Sequence, residues 1–277
     1  MADAPAYKLI ACDLDETLLD GESRVCPRNV RAVRAAREAG ARVAIATGRG
    51  FPSVRYELEA LGLADRAGEY VIALNGADVR ECAGGRTVAF EGLPFDFADD
   101  LYRRGLGFDV CVQVYTADAV YAHGLTDEER RYLGRRYDGM VEVDERSLAF
   151  LRGEGIAKVL CSSVDVSYLR AIAAELEPAT GGADVSFSSN RYLEFNRKGV
   201  NKGAGLERLA RILGVGMAET IAIGDNWNDV AMLDAAGLAA GVANVVDGVR
   251  EHCDYVARAT NSEGGVAEVI ERFVLDR

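Results

Sequence analysis

Aspartates recur at two distant points of the chain, each directly after an apolar run. Asp13 and Asp15 follow the run 7–12, and the segment 224–229 (Gly-Asp-Asn-Trp-Asn-Asp) follows the run 220–223. A lone Asp-x-Asp is common because Asp caps helices and solvates loops, but two such segments, each after a strand-like run, indicate a shared site. Ligands of open parallel sheets bind outside the carboxyl ends of the strands, so the carboxylates should converge there. The members of this predicted cluster are Asp13, Asp15, Asp225 and Asp229.

Four ionised carboxylates in one crevice need a counter-charge. Two unit charges about 4 Å apart repel by about 4 kcal/mol at an effective dielectric constant near 20. A hard divalent cation removes this repulsion, and oxygen ligands without His or Cys suit Mg²⁺, which also holds substrate phosphates. The sequence therefore predicts a Mg²⁺ site whose ligands are Asp13, Asp15, Asp225 and Asp229.

Such a site requires a sheet of parallel strands. Apolar runs at 7–12, 41–46 and 70–74 alternate with helical patterns at 28–39 and 52–61. Strands that alternate with helices indicate a parallel sheet covered by helices. We therefore expect an α/β fold.

The alternation is interrupted in the middle of the chain. Residues 77–92 have the pattern of a hairpin around Gly84-Gly85, and 94–190 mix helices with alternating strands. The first pattern resumes from Tyr192. The expected architecture is a doubly wound parallel-sheet core, 1–84 and 191–277, with an inserted α+β domain at 85–190. We expect the chain to cross between the two domains near Gly84-Gly85 and residues 188–190.

Composition narrows the class of partner. The 277 residues are 49% hydrophobic and 27% charged, which is typical of a globular protein. Thirty-two basic and 44 acidic residues give a net charge of −12, which disfavours nucleic acid and anionic membranes. The six cysteines stand singly and the first apolar run is too short for a signal peptide or a membrane span. We expect a cytoplasmic protein with reduced thiols and no obligatory protein partner.

Four segments carry a resemblance to a known family. They are Asp13-Leu14-Asp15-Glu16-Thr17-Leu18-Leu19, Ala46-Thr47-Gly48-Arg49, Gly199-Val200-Asn201-Lys202-Gly203 and Gly224-Asp225-Asn226-Trp227-Asn228-Asp229. This ordered set resembles the four motifs of the haloacid dehalogenase (HAD) superfamily and is most like its Cof-type phosphatases, which carry a type IIB cap. The resemblance implies a Rossmann-like HAD core, an inserted cap and a Mg²⁺-dependent phosphatase of small phosphorylated metabolites. The sequence departs from the family at Glu16, where Gly is usual.

The resemblance also implies roles for individual residues. Asp13 would be the nucleophile that forms an aspartyl phosphate, and Asp15 the general acid and base, with its backbone carbonyl on the metal. Lys202 would neutralise charge, with Lys198 as the alternative lysine. Arg49 would contact the substrate or form an ion pair with the acidic site. The implied catalytic residues are Asp13, Asp15, Thr47 and Lys202, and the implied phosphate-binding residues are Thr47, Gly48, Arg49, Lys202 and Asn228.

Two other functions stay open at this point. A sugar phosphomutase of the same core and cap type would need several cationic groups in the cap, for which the sequence offers Arg103, Arg104, Arg130, Arg131, Arg135 and Arg136. A catalytically inactive binding protein is the second alternative. A dinucleotide-binding protein is less favoured than either, because no strand is followed by G-x-G-x-x-G. The remaining conspicuous residues are expected to be structural: His123, His252, Trp227 and Lys158, the last as a strand lysine that extends to solvent.

Overall fold

The computed structural model describes residues 6–134 and 139–276. The chain folds into two compact units. The first unit runs to Ala89 and resumes at Asn201, and the second unit is Phe90–Val200.

The first unit contains an eight-stranded sheet. The strands are β1 (Leu9–Asp13), β2 (Arg42–Ala46), β3 (Tyr70–Ala73), β4 (Asp78–Glu81), β5 (Thr87–Phe90), β12 (Thr220–Gly224), β13 (Leu238–Gly241) and β14 (Tyr255–Val256). Their order in the sheet is β14-β13-β12-β1-β2-β3-β4-β5, and every neighbouring pair from β14 to β3 is parallel, whereas β4 runs antiparallel to β3. All five residues of β1 are buried, as expected for a central parallel strand covered on both faces.

Helices of the first unit cover this sheet. Alternation along β1 directs Leu9 and Ala11 into one apolar cluster with Leu206 and Met232, which lie on two neighbouring helices. The helices are α1 (Pro27–Glu38), α2 (Arg55–Ala60), α6 (Lys202–Leu213), α7 (Val230–Ala235), α8 (Asp247–Arg250) and α9 (Gly265–Ile270). Helices α6 and α7 pack together, as do α1 and α9. No helix in the described ranges is long and apolar enough to cross a bilayer.

The second unit contains a six-stranded, mainly antiparallel sheet. The strands are β6 (Cys111–Thr116), β7 (Val120–His123), β8 (Met140–Glu142), β9 (Ile156–Ser162), β10 (Ala183–Ser188) and β11 (Tyr192–Arg197), and the helices are α3 (Phe95–Gly105), α4 (Asp127–Leu133) and α5 (Val166–Leu176). The strand order is β10-β11-β9-β6-β7-β8. Helices α3 and α5 share one apolar cluster with β6, β9 and β11. Because side chains alternate, the opposite sheet face carries polar residues such as Gln113, Lys158 and Glu194.

The predicted α/β fold class is confirmed, but the predicted crossing points are wrong. Gly84 and Gly85 have φ of 67° and 61° and form the turn between β4 and β5. Ser189 and Asn190 also have positive φ and form the turn between β10 and β11. Both segments are hairpin turns inside a unit, because β11 pairs with β9 and β10 rather than with the first sheet. The chain crosses between units at 89–90 and 200–201.

Candidate active site

The carboxyl ends of three neighbouring strands meet in the first unit. Asp13 is the last residue of β1 and pairs with Ala46 of β2, so Thr47 lies one residue beyond that pair. On the other side, Cys12 pairs with Ile223, which places Asp13 beside Gly224 and just before Asp225. Sheet register therefore brings together side chains that lie more than two hundred residues apart in sequence.

Lys202 supplies the positive charge of this site. It is fully buried at the start of α6, where Asn201 caps the helix by accepting a hydrogen bond from the Ala204 amide at 2.9 Å. Its Nζ donates to Asp13 Oδ1, and to Asp229 Oδ1 at 2.7 Å. A helix N-terminus disfavours a cation, so these two carboxylates must outweigh the helix dipole.

The alternative lysine does not take part in this cluster. Lys198 is exposed and belongs to the second unit. The position of Lys202 depends on close packing of α6 against α7 at its neighbour Gly203. A Cβ at residue 203 would lie 2.2 Å from the Ala231 carbonyl oxygen. Any larger residue at 203 would push the start of α6 away from α7.

Three of the predicted metal ligands form one buried cluster. Carboxylate oxygens of Asp13, Asp225 and Asp229 all lie within 4.8 Å of one another. Burial, reinforced by the charge of Asp229, raises the pKa of Asp13 well above its usual value even though Lys202 opposes the shift. Burial also raises the pKa of Asp225 to about 6, against the Thr17 hydrogen bond. This all-oxygen donor set, with more negative than positive charge, fits Mg²⁺.

The lysine in this cluster stays charged. Burial lowers the pKa of Lys202, but the charges of Asp13 and Asp229 outweigh that effect and raise it above the usual value. One ammonium group therefore faces three carboxylates, and a divalent cation would complete the charge balance.

Asp229 is already committed to contacts within the protein. Its Oδ2 accepts hydrogen bonds from the backbone amides of Asp225 at 3.0 Å and Asn226 at 3.1 Å, while its Oδ1 accepts from Lys202. Thr17 fixes the neighbouring ligand, because its buried hydroxyl donates to Asp225 Oδ1 at 2.6 Å. Sequence reasoning missed Thr17, for which its place in the first motif was the one signal.

The fourth predicted ligand lies apart from the cluster. The Asp15 side chain is 52% exposed and is held by Arg49, whose Nε donates to Asp15 Oδ2 at 2.9 Å and whose Nη2 contacts Oδ1. Arg49 Nη1 also contacts Glu57 Oε1 at 3.1 Å. In this structure Arg49 thus forms an ion pair with the acidic site, and Glu57, which sequence reasoning missed, supports it.

The remaining phosphate-binding candidates line the loops after β2 and β12. The Thr47 hydroxyl accepts a hydrogen bond from the Arg49 amide at 3.1 Å, and Thr47 does not cap the short helix Phe51–Val54, whose N-cap is Gly50. Gly48 is half-buried beside the Asn75 side chain. Asn228 is exposed in the 3₁₀ turn Trp227–Asp229.

Two residues expected to be structural differ in detail from that expectation. Lys158 does not extend to solvent: it is buried, and its Nζ donates to Glu194 Oε2 at 2.6 Å. Trp227 is 63% exposed, although its ring lies against Gly248. His252 pairs with Asp234 at 2.7 Å. None of these residues belongs to the carboxylate cluster defined above.

The second-unit arginines that the sequence offers for a second phosphate form local contacts where the structure describes them. Arg103 and Arg104 pair with the aspartates four residues earlier, and Arg130 pairs with Asp127 and Glu142. Arg131 donates to the Asp127 carbonyl. Arg135 and Arg136 lie outside the described residues. Pairs at this spacing are typical of solvated helix faces.

Comparison with known proteins gives one consistent family. A family model described as haloacid dehalogenase-like hydrolase matches residues 10–270. YxeH of Bacillus subtilis is 29% identical over 97% of this chain and 99% of its own length. A second Bacillus subtilis protein, named 5-amino-6-(5-phospho-D-ribitylamino)uracil phosphatase YcsE, is 30% identical over 97% of this chain and 96% of its own.

A solved structure agrees over the same length. A haloacid dehalogenase-like hydrolase from Bacteroides thetaiotaomicron superposes with a TM-score of 0.85 and 27% identity, covering 96% of this chain and 99% of that one. The similarity therefore spans both units.

Proposed function

The chain belongs to the haloacid dehalogenase-like hydrolases, of the Cof type that its motifs resemble, and from this premise we propose that it is a Mg²⁺-dependent phosphatase of small phosphorylated metabolites. The observation that carries the proposal is the cluster of Asp13, Asp225 and Asp229 around one lysine at the strand ends. The phosphatase names of its relatives support the same reaction class.

The first step transfers the phosphoryl group to the protein. An Asp13 oxygen attacks phosphorus, the bond from phosphorus to the leaving oxygen breaks, and an aspartyl phosphate forms on Asp13. Asp15 gives its proton to the leaving alkoxide. The Lys202 ammonium group, which already touches Asp13, offsets repulsion between the attacking carboxylate and the phosphoryl oxygens.

The second step returns the protein to its starting state. Asp15, now ionised, takes a proton from water, whose oxygen attacks phosphorus and releases inorganic phosphate and the Asp13 carboxylate. Arg49 orients Asp15 for both steps, and the Thr47 hydroxyl and Gly48 amide would hold phosphoryl oxygens. Mg²⁺, held by Asp13 and Asp225 with the Asp15 carbonyl, would neutralise the carboxylates and polarise the phosphoryl group. Asp229 would hold the metal directly or through water, and Asn228 would bind phosphate.

We propose that the second unit determines which substrate is accepted, because the residues gathered in the first unit would recognise only phosphate and metal. The proposed partner is a small phosphorylated metabolite such as a sugar phosphate. A cytoplasmic location belongs to the same proposal and is supported by the six free cysteines.

A phosphate-release screen tests the proposal. Purified protein is incubated with a panel of phosphomonoesters in Mg²⁺ or in EDTA, with Asp13→Asn as the control. We expect release that depends on Mg²⁺ and is absent in the variant. With p-nitrophenyl phosphate, Asp15→Asn should give a burst of about one nitrophenol per protein, because the phosphoenzyme forms but lacks the base that hydrolyses it. No release from any panel member would overturn the proposal.

A further inference from the structure

The turn that follows Asp15 is held by asparagine side chains from three distant elements. Asn244 Nδ2 donates to the Glu16 carbonyl at 2.8 Å, Asn261 Nδ2 to the Leu19 carbonyl at 2.7 Å, and Asn29 Nδ2 to the Leu18 carbonyl at 3.4 Å. We call Asn29, Asn244 and Asn261 the asparagine clamp. Three of the four carbonyls of residues 16–19 are therefore fixed by side chains outside the turn.

The clamp is itself tied together. Asn244 Oδ1 accepts a hydrogen bond from the Asn261 amide at 2.9 Å, and Asn29 Oδ1 accepts one from the Ala267 amide at 2.9 Å. Asn29 and Asn261 are buried. In Asn29 and in Asn244 the side-chain Nδ2 donates to the turn while Oδ1 accepts from a backbone amide elsewhere. The hydrogen bond to Oδ1 therefore fixes the orientation of the side chain that donates to the turn.

Glu16 is the strained member of that turn. Its φ is 61°, in the left-handed region where a residue with a Cβ is disfavoured and glycine is not. A rotation of Glu16 to the right-handed region would swing its carbonyl away from Asn244. The hydrogen bond from Asn244 therefore opposes the relaxation that the Glu16 side chain favours.

We propose that Asn244 is a positioning residue for Asp15, acting through the Glu16 carbonyl. The inference rests on the proposed function, in which Asp15 is the general acid and base. Arg49 restrains the side chain of Asp15. Asn244 restrains the peptide group between Glu16 and Thr17, one residue further along the chain. We expect both restraints to be needed because the Asp15 side chain is 52% exposed, so that packing alone does not fix it.

A merely structural asparagine would behave differently. If Asn244 only joined its own loop to Asn261, its loss would lower stability to the same extent whatever residue stood at 16. If it opposes strain at Glu16, its loss should matter less once glycine removes that strain. A double-mutant cycle between positions 244 and 16 separates the two roles.

The kinetic experiment compares Asn244→Ala in the wild-type and Glu16→Gly backgrounds, with p-nitrophenyl phosphate and glucose 6-phosphate as probes. We expect Asn244→Ala to lower kcat for glucose 6-phosphate about tenfold with little change in KM. The loss for p-nitrophenyl phosphate should be smaller, because nitrophenolate leaves without needing a proton. In the Glu16→Gly background the loss should shrink to about threefold or less.

Ser23→Gly is the matched control. Ser23 also has a positive φ, 58°, and is exposed on the same loop, but its amide donates to the Asp20 carbonyl and no hydrogen bond among the described residues joins it to Asn244. Glycine there relieves a similar strain, so it should leave the effect of Asn244→Ala unchanged. Equal losses in the Glu16→Gly and Ser23→Gly backgrounds, or an unchanged kcat in Asn244→Ala, would overturn the inference.

Hydrogen exchange of the peptide that contains residues 16–19 gives a readout without substrate. Asn244→Ala should speed exchange of this peptide, and Glu16→Gly should restore protection. Absence of phosphate release in the wild type together with this exchange pattern would refute the proposed function while supporting the clamp. Normal exchange in Asn244→Ala would refute the clamp whatever the activity.

Discussion

In the first unit one buried lysine contacts two carboxylates and a third, Asp225, lies in the same cluster, whereas the buried lysine of the second unit contacts a single carboxylate. Lys158 donates to Glu194 at 2.6 Å, and Ser188 also donates to Glu194. Burial opposes ionisation of Glu194, but Lys158 and Ser188 together lower its pKa. In the first unit the balance is reversed, and the pKa of Asp13 and of Asp225 is raised.

This difference distinguishes buried charges that are paired within the protein from buried charges that a bound ion or substrate would balance. A matched buried pair such as Lys158 with Glu194 is satisfied within the protein. Excess buried charge costs stability, so it is retained where a bound ion or a reaction uses it.

Catalysis should depend on the carboxylate cluster of the first unit, whose negative charge is not balanced within the protein. Asp13→Asn should lower kcat at least about a thousandfold, because an amide cannot attack phosphorus. The fold should remain, since the side chain keeps its shape, and circular dichroism should show an unchanged spectrum. The measurement is phosphate release after deamidation has been excluded by mass spectrometry.

The matched control in the second unit is Glu194→Gln, also a carboxylate-to-amide change. It leaves Lys158 without its counter-charge and should lower the melting temperature. More than a few per cent of wild-type kcat in Asp13→Asn would contradict the assignment of the nucleophile.

Breaking the matched pair should cost stability that metal cannot restore. Lys158→Met leaves Glu194 buried and uncompensated, and should lower the free energy of unfolding by about 3–5 kcal/mol in urea titrations. The double variant Lys158→Met, Glu194→Leu should recover most of the loss, since it buries no charge. A double variant as unstable as the single one would show that the lysine matters for packing rather than for charge.

Mg²⁺ should stabilise the first unit by relieving its unmatched charge. A cation that binds only the folded cluster adds about 2.7 kcal/mol at a hundred times its dissociation constant. Thermal melting in Mg²⁺ and in EDTA measures this difference. Asp225→Asn should remove most of it, whereas Lys158→Met should keep the full Mg²⁺-dependent rise. Coincident melting curves for the wild type would contradict the shared-cation argument.

The smallest effect should be on how the free energy of unfolding depends on pH, with opposite signs for the contributions of the two units. Asp225 has a raised pKa of about 6 against an ordinary 3.8, so the folded state binds the extra proton and metal-free stability falls as pH rises between these values. Glu194 has a pKa lowered from the ordinary 4.5. Its stabilising contribution to the free energy of unfolding is therefore present above pH 4.5 and is lost as pH falls.

Chemical denaturation in EDTA at a series of pH values measures both contributions. Asp225→Asn should flatten the fall between about pH 4 and pH 6, and Glu194→Gln should flatten the loss at lower pH. If Asp225→Asn left the profile unchanged, the raised pKa would not belong to that carboxyl group.

The sequence predicted most of the first unit because its signals are local. β1 and β12 are short apolar runs followed at once by aspartates, and parallel pairing needs no further information to bring Asp13 and Asp225 to one edge. The resemblance also implied Lys202 for the positive charge, with Lys198 as the alternative, and Lys202 is the lysine that contacts Asp13. The role of every site residue remains a prediction for the experiments above.

The contacts that the sequence did not predict join residues far apart in the chain, and residue spacing does not indicate such pairs. Glu194 lies 36 residues from Lys158, and only the register of β9 with β11 brings them together. Asn244 is 228 residues from Glu16, and no local pattern indicates that contact. Arg49 had two open roles because its partners Asp15 and Glu57 lie on different elements. The crossing points were misplaced because turn residues inside a hairpin look like those of a linker.

The position of β1 between β2 and β12 has a consequence for synthesis on the ribosome. A nascent chain emerges amino end first, so β2 joins β1 early, but β12 starts at Thr220, after the whole second unit has been made. Until then one edge of β1 has no strand beside it, and Asp13 lacks Asp225, although Lys202 is made before β12. The carboxylate cluster is therefore among the last parts to assemble during translation, and a chain stalled between residues 200 and 220 contains the whole second unit while its first sheet still has an open edge.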